Sequence, residues 1–388
     1  MISQKDKEIF LKVLSDAVSG DVLSEIPGET DVRALYNLSC AHKVTGAVWY
    51  ALKGITPSDE MQKELLSRLS KHAANAGKQL VLQDYYTETA VNICREKGVK
   101  FALLKGAVLK HFYPDATMRS SCDIDILVDK ERIDEIIDEF IKLGFDYHEE
   151  QDSDEAKHAK LAKDSVVVEL HRALCFDGAF GGHYDNPFSA FETVDGVEYT
   201  LCPEEFYVYN LVHASQHFMK GVNTLRALCD LYLICRKYPD MDREKVSEIL
   251  GITGMTGFEK AMSNLVKAVF GEIKAEDELY TVLDYVIMNP VRADTVLSEL
   301  QREKVSGNSG KIQKLTVALR RVFPSYKYIC RRYRNAKKSR LLYPYYVVKR
   351  IFDAGNEGRI KEQLDAMGRV SDDEMSMIAT VRRYSGLN

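Results

Sequence analysis

The sequence predicts an α+β protein, a small mixed α/β domain embedded between helical regions, and three observations carry that expectation. Short apolar runs bounded by glycine, too short for helices, cluster between residues 99 and 172. Apolar residues at helical spacing fill the chain on either side of them. The composition, 45% apolar and 29% charged with only 9 Pro and 23 Gly in 388 residues, excludes a disordered chain or a fibre. The expected organisation is a helical region at 1–98, the mixed domain at 99–200, a second helical domain at 201–305 and a basic helical extension at 306–388.

In the first region, Ile9, Phe10, Val13, Leu14 and Val18 recur at helical spacing, and Leu35, Tyr36, Ala47, Val48 and Leu52 continue the pattern beyond Gly20 and Pro27. From about Glu60 to Lys97 there is no proline, and the residues are mostly good helix formers, so one long or slightly broken helix should end at Gly98. Val99 to Leu104 reads as a buried strand. DIDILV, Asp123 to Val128, alternates acid and aliphatic at period two, which puts alternate side chains on one face of a second strand. Ile133, Ile136, Ile137, Phe140 and Ile141 mark an amphipathic helix that Gly144 is placed to end. Val166 to Leu170 is a third strand, with Glu169 and His171 at its end.

Past the turn-rich stretch Asp177 to Asn186, Phe206, Tyr209, Asn210, His213 and His217 share one helical face. Leu225, Leu228, Leu231 and Tyr232 mark the next helix, and the pattern continues to 305. Ser371 with Glu374 reads as a capping box for a last helix. Gly251, Gly254 and Gly257 follow no strand, which excludes a dinucleotide fingerprint.

The net charge is −5 but unevenly placed. Between Lys311 and Phe352 stand thirteen Lys or Arg and no acid, leaving 40 cations against 58 acids elsewhere. Such a segment docks on the acidic body, on a phosphate-bearing ligand or on an anionic surface, nucleic acid or membrane. The eight cysteines have no zinc-like spacing and read as reduced and mostly buried. Charges through Met1 to Gly20 leave no room for a signal peptide, and no later stretch is apolar enough to span a bilayer; the expectation is a cytoplasmic protein without an integral membrane segment.

Chemistry concentrates around Asp123 and Asp125. One residue apart on a strand, their carboxylates leave the same face about 6.5 to 7 Å apart and can converge on one hard cation. Mg2+ takes a few carboxylates and fills its shell with water and phosphate oxygens, so the pair fits a Mg-nucleotide; alone, it also fits the solvated edge of a surface strand. Lys105-Gly106-Ala107 follows the preceding strand, where glycine admits phosphate close to the backbone, a helix start adds positive potential and Lys105 adds a charge. Arg119 is placed to reach the same phosphates. Glu169 offers a third carboxylate, for metal or for the proton of an attacking hydroxyl. His171, on the same strand face, is placed to hold Glu169 or a phosphate. Lys105 and Arg119 read equally as surface charge. His213 and His217 have the spacing of a metal pair without the glutamate of a zinc peptidase, and read as core or groove histidines. Asp230, with Arg226 one turn before it, reads as a structural pair; each of these residues alternatively lines an acceptor site.

LLKGAVLKHFYPDATMRSSCDIDILV, followed some forty residues later by VVVELHRAL, resembles the uncharacterised bacterial nucleotidyltransferase family of the polymerase-β-like superfamily, whose members carry LKG, YP, R, DIDxLV and an ExH strand. The match is dense over 99–172, and LVHASQHFMKGVNTLRALCDLYLI resembles the helical segment that follows in such proteins. The resemblance implies a mixed-sheet palm holding Mg-NTP, with Asp123, Asp125 and Glu169 as metal ligands and Gly106 at the triphosphate turn. Lys105 stands where the superfamily usually has the first glycine of that turn. The expected function is therefore transfer of NMP, AMP from ATP, to an acceptor hydroxyl of a small molecule, peptide, protein or RNA, with Mg2+ or Mn2+ as cofactor. Catalysis is assigned to Asp123, Asp125 and Glu169, nucleotide binding to Lys105, Gly106, Arg119 and His171, and the acceptor side to His213, His217 and Asp230. The competing expectation is a non-catalytic nucleotide-binding or adaptor protein that uses the basic segment.

Overall fold

The computed structural model describes residues 2–120 apart from 29, 123–148, 158–174, 183–219 apart from 185, 222, 224–290, Tyr326, Ile329, 340–356 and 372–386. Four helices come first, α1 (Gln4–Ser19), α2 (Val32–Ala41), α3 (Thr45–Leu52) and α4 (Glu60–Lys97). A capping box between Ser3 and Asp6 opens α1. Asp59 caps α4, whose 38 residues end at Gly98 with φ +63°, the left-handed conformation glycine adopts without a steric penalty.

The chain then enters a mixed seven-stranded sheet, β1 (Phe101–Leu103), β2 (Asp123–Val128), β3 (Asp146–His148), β4 (His158–Lys163), β5 (Val166–His171), β6 (Phe191–Thr193) and β7 (Glu198–Leu201), in the order β3-β4-β5-β2-β1-β7-β6. Helices α5 (Lys105–Leu109) and α6 (Ile133–Lys142) lie between strands. β2 runs parallel to β5 and antiparallel to β1, at the centre of the sheet. Three strands match the sequence expectation; β3, β4, β6 and β7 do not announce themselves. β3 and β6 are three-residue edges, and β4 and β7 are too polar to stand out from loop.

Helices α7 (Pro203–Met219), α8 (Leu225–Lys237), α9 (Arg243–Thr253), α10 (Thr256–Val269) and α11 (Asp277–Met288) follow. Gly254, at φ +68°, ends α9 as a cap. Near the C-terminus lie α12 (Tyr343–Asn356) and α13 (Asp372–Ser385). α13 rests on α10 and α11 through buried Val381, an Asn264–Tyr384 hydrogen bond of 3.2 Å and an Arg383–Glu278 ion pair of 2.6 Å. Most of the basic run from Lys311 to Arg340, most of the turn-rich stretch before Asn186, and Ser371 lie outside the described residues. No described helix is long and apolar enough to cross a membrane.

Two apolar cores flank the sheet. On one face Ile124, Ile126 and Val128 of β2 and Val166, Val168 and Leu170 of β5 pack with α6 and with Tyr86, Ala90 and Cys94 of α4. At roughly 1.5 to 3 kcal/mol per fully buried aliphatic, this layer fixes the register of both strands. The larger core joins α1–α3, Leu65, Leu66 and Leu69 of α4, helices α7 to α11 and α13, and Leu127 of β2. Period two therefore leaves Asp123, Asp125, Glu169 and His171 on the face opposite the first core.

Candidate active site

Parallel pairing sets Asp125 opposite Glu169, and Leu127 opposite His171. Asp125, 7% exposed, accepts two donors on one oxygen: Lys105 Nζ lies 2.7 Å and His171 Nε2 2.8 Å from its Oδ1. Burial alone would raise the Asp125 pKa. The His171 hydrogen bond and the Lys105 charge outweigh it and hold the carboxyl well below its usual range. Glu169 Oε1 pairs with Lys160 Nζ at 2.9 Å, while its Oε2 is 3.9 Å from both His158 and His171 Nε2. The ligand atoms of Asp125, Glu169 and His171 all lie within 4.8 Å of one another. Asp123 faces the same cavity but stands outside that trio. Lys105 reaches Asp125 from a left-handed backbone, φ +40°, a conformation that costs a non-glycine residue about 1 kcal/mol or more.

The donor set fits a divalent cation. Carboxylate oxygens suit a hard ion such as Mg2+, and the adjacent imidazole extends the choice to Mn2+. Lys105 supplies positive charge at Asp125, and His171 supplies a hydrogen bond.

The cavity in front of the acids measures about 420 Å3. Lys105, Gly106, Asp123, Asp125 and Glu169 form its sheet side, and α7, α8, α10 and α11 its helical side. Arg119 also reaches it, but its guanidinium is engaged by Asp230: Nε to Oδ1 at 2.8 Å and Nη2 to Oδ2 at 3.0 Å, with Tyr113 OH donating to the same Oδ1 at 2.8 Å. All three side chains are buried. Burial opposes the arginine charge, and Asp230 more than restores it. His213 and His217 also line the cavity, Nε2 to Nε2 at 3.2 Å, so one ring donates and the other accepts. Burial, reinforced by the charge of Lys105, holds His213 well below the ordinary histidine pKa and keeps it neutral at pH 7.

Every expected site residue except His171 lines this one cavity, and His171 supports it through Asp125. Sequence reasoning missed Lys160 and His158, whose only signal is the small apolar alternation Ala159, Leu161. It also missed Lys43, which lines the helical side from φ +58° between α2 and α3, and the Tyr113 hydroxyl.

Among solved structures, the chain resembles that of the antibiotic-resistance factor ANT(2'')-Ia in solution, at 15% identity and a TM-score of 0.33, over 48% of this chain and 95% of that one. No curated protein sequence matches it. A family model described as "Uncharacterised nucleotidyltransferase" matches residues 28–271, which take in α2 to the end of α10 and thus the whole sheet and nearly all of the cavity wall. With most of its length so matched, the chain belongs to the uncharacterised nucleotidyltransferase family.

Proposed function

We propose that this nucleotidyltransferase transfers AMP from ATP, with Mg2+ or Mn2+, to a hydroxyl acceptor seated between sheet and helices. The observation that carries the reading is the in-register pair Asp125 and Glu169 on parallel strands, opening with Asp123 and Lys105-Gly106 onto one cavity. Asp123 and Asp125 would hold the divalent ion, with Glu169 as third carboxylate. When bound, that ion supplies Lewis acidity to phosphate oxygens.

The chain's own groups do the rest. Lys105 and Gly106 receive the triphosphate, the lysine exchanging its contact with Asp125 for phosphate oxygens. His171 donates to Asp125 and fixes its orientation, and Glu169 Oε2 takes the acceptor's proton as its oxygen attacks the α-phosphorus. Arg119, locked to Asp230, keeps the segment leading into β2 in place beside the acceptor wall that carries His213 and His217.

Thermal melts of the protein with each NTP and Mg2+ test the reading. ATP at 100 times its dissociation constant should stabilise by about 2.7 kcal/mol. Stabilisation by no nucleotide overturns it, and pyrophosphate released in proportion to modified acceptor supports turnover rather than binding alone.

A further inference from the structure

The acid cluster on the sheet carries its own cation. Lys105 Nζ sits 2.7 Å from Asp125 Oδ1, with 15% of the lysine side chain and 9% of the aspartate side chain exposed. The backbone builds this contact in: just past β1, the Leu104 N–H donates to the Asp125 carbonyl at 3.0 Å, pinning the chain to β2 one residue before the lysine. Lys105 itself takes φ +40°, a conformation that persists in a non-glycine residue only where its surroundings over-determine it.

The ammonium and a divalent ion compete for the same oxygen. Asp125 Oδ1 already receives Lys105 and His171. An ion coordinated there at about 2.1 Å would stand less than about 5 Å from Nζ. Like charges that close in a buried setting repel strongly. Glu169 also meets an ammonium, Lys160 Nζ at 2.9 Å from Oε1, but that lysine is 38% exposed and its charge is screened by solvent. Lys105 is enclosed, so it governs whether a cation can be held at Asp125. A triphosphate changes the balance, because it offers the ammonium several anionic oxygens. The flexible four-carbon stem lets the charge move between acceptors while the backbone stays pinned.

We propose that Lys105 is an internal counter-ion that makes the site refuse a free divalent cation and take metal and nucleoside triphosphate together. The inference rests on the nucleotidyl-transfer reading for the identity of the anion that draws the lysine away. Asp125 is then never a bare buried carboxylate: the lysine covers it in the free protein, and the metal covers it once the lysine has moved to phosphate. The coupling is reciprocal, so the nucleotide raises the affinity for the cation by the same factor as the cation raises the affinity for the nucleotide.

Two variants of the full chain remove the ammonium in different ways: Lys105→Gly, which suits the left-handed backbone, and Lys105→Met, which keeps the apolar stem. Circular dichroism checks that each is folded. Binding of Mn2+ alone is read from the electron paramagnetic resonance signal of the free ion, and nucleotide affinity from calorimetric titration with ATP in excess Mg2+. Both variants should bind Mn2+ at least about tenfold more tightly than the wild type and Mg-ATP at least about tenfold more weakly. The gain for Mn2+ should vanish when Asp125→Asn is added, which separates this site from carboxylates elsewhere on the surface. A lysine that only supported the fold would lower both affinities, and one that only met phosphate would leave Mn2+ binding unchanged. Either result overturns the proposal, as does a Mn2+ gain that survives Asp125→Asn. Failure of the nucleotide reading looks different: wild type and variants alike then bind no ATP, while the variants' gain for Mn2+ persists.

Discussion

His42 should make the helical wall of the cavity acid-sensitive. The ring is fully buried at the end of α2, donates from Nε2 to the Ile287 carbonyl at 2.9 Å, and accepts the Leu225 N–H on Nδ1 at 3.1 Å. It thus ties α2 to the end of α11 and to the first turn of α8, next to Arg226. Burial, only partly offset by the Ile287 carbonyl, lowers its pKa from 6.5 to about 4. With the folded-state value depressed, the neutral ring's contribution is complete above pH 6.5 and is lost as pH falls toward 4, because the unfolded chain takes up a proton that the folded one refuses. At about 1.36 kcal/mol per unit the full span is roughly 3.4 kcal/mol, of which about 2 kcal/mol falls between pH 7 and pH 5. Urea unfolding of the wild type and His42→Asn at those two pH values measures it. The wild type should lose about 2 kcal/mol more than the variant on acidification, while His213 and the carboxylates, present in both proteins, cancel. Losses equal to within about 0.5 kcal/mol would refute the argument.

At the sheet, Glu169→Gln should cut turnover by about 100-fold or more while leaving nucleotide affinity nearly unchanged, as comparison of single-turnover rates with equilibrium titration will reveal. Asp125→Asn should abolish turnover and also lower the unfolding midpoint in urea, because Lys105 and His171 both lose a buried anionic partner. Asp230→Ala should cost about 3 to 5 kcal/mol by denaturant unfolding, since it strands a buried guanidinium and a buried tyrosine hydroxyl; Arg119→Met with Asp230→Leu should recover much of that loss. In α3, Gly46→Ala should destabilise by about 1 to 3 kcal/mol in the same assay, because a β-carbon there collides with the Thr117 carbonyl ahead of Arg119.

Much of this site was legible because its elements carry short-range signals. DIDILV displays its two faces within six residues, so Asp123 and Asp125 could be placed on one side of a strand before any partner was known. The limits of α4 followed equally from a run of helix formers closed by Gly98. What stayed hidden depends on pairing across long separations. Asp230 contacts Arg119 from 111 residues away, and local spacing offered only its neighbour Arg226, one turn back on the same helix. Lys160 meets Glu169 because β4 is antiparallel to β5, and a strand reading HAKLAK has too little apolar contrast to be recognised alone. Sign of charge along the chain did not show that Asp230 is neutralised; only the fold brings Arg119 onto both its oxygens.

Helix α4 has a consequence for how the molecule comes apart. At 1.5 Å per residue its 38 residues form a rod about 57 Å long, with Leu65, Leu66 and Leu69 sunk in one core and Tyr86, Ala90 and Cys94 in the other. A helix propagates cheaply but nucleates at a cost, so melting either end leaves the remainder to bear that cost without half its packing. The rod thereby joins two apolar layers on opposite faces of the sheet into one cooperative unit. Gly77, midway along it, is where the coupling is weakest, because glycine opposes helix propagation by about 1 kcal/mol relative to alanine. Loss of structure that begins among helices α7 to α11 is thus transmitted to the layer beneath Asp125 through backbone hydrogen bonds as well as through side-chain contact.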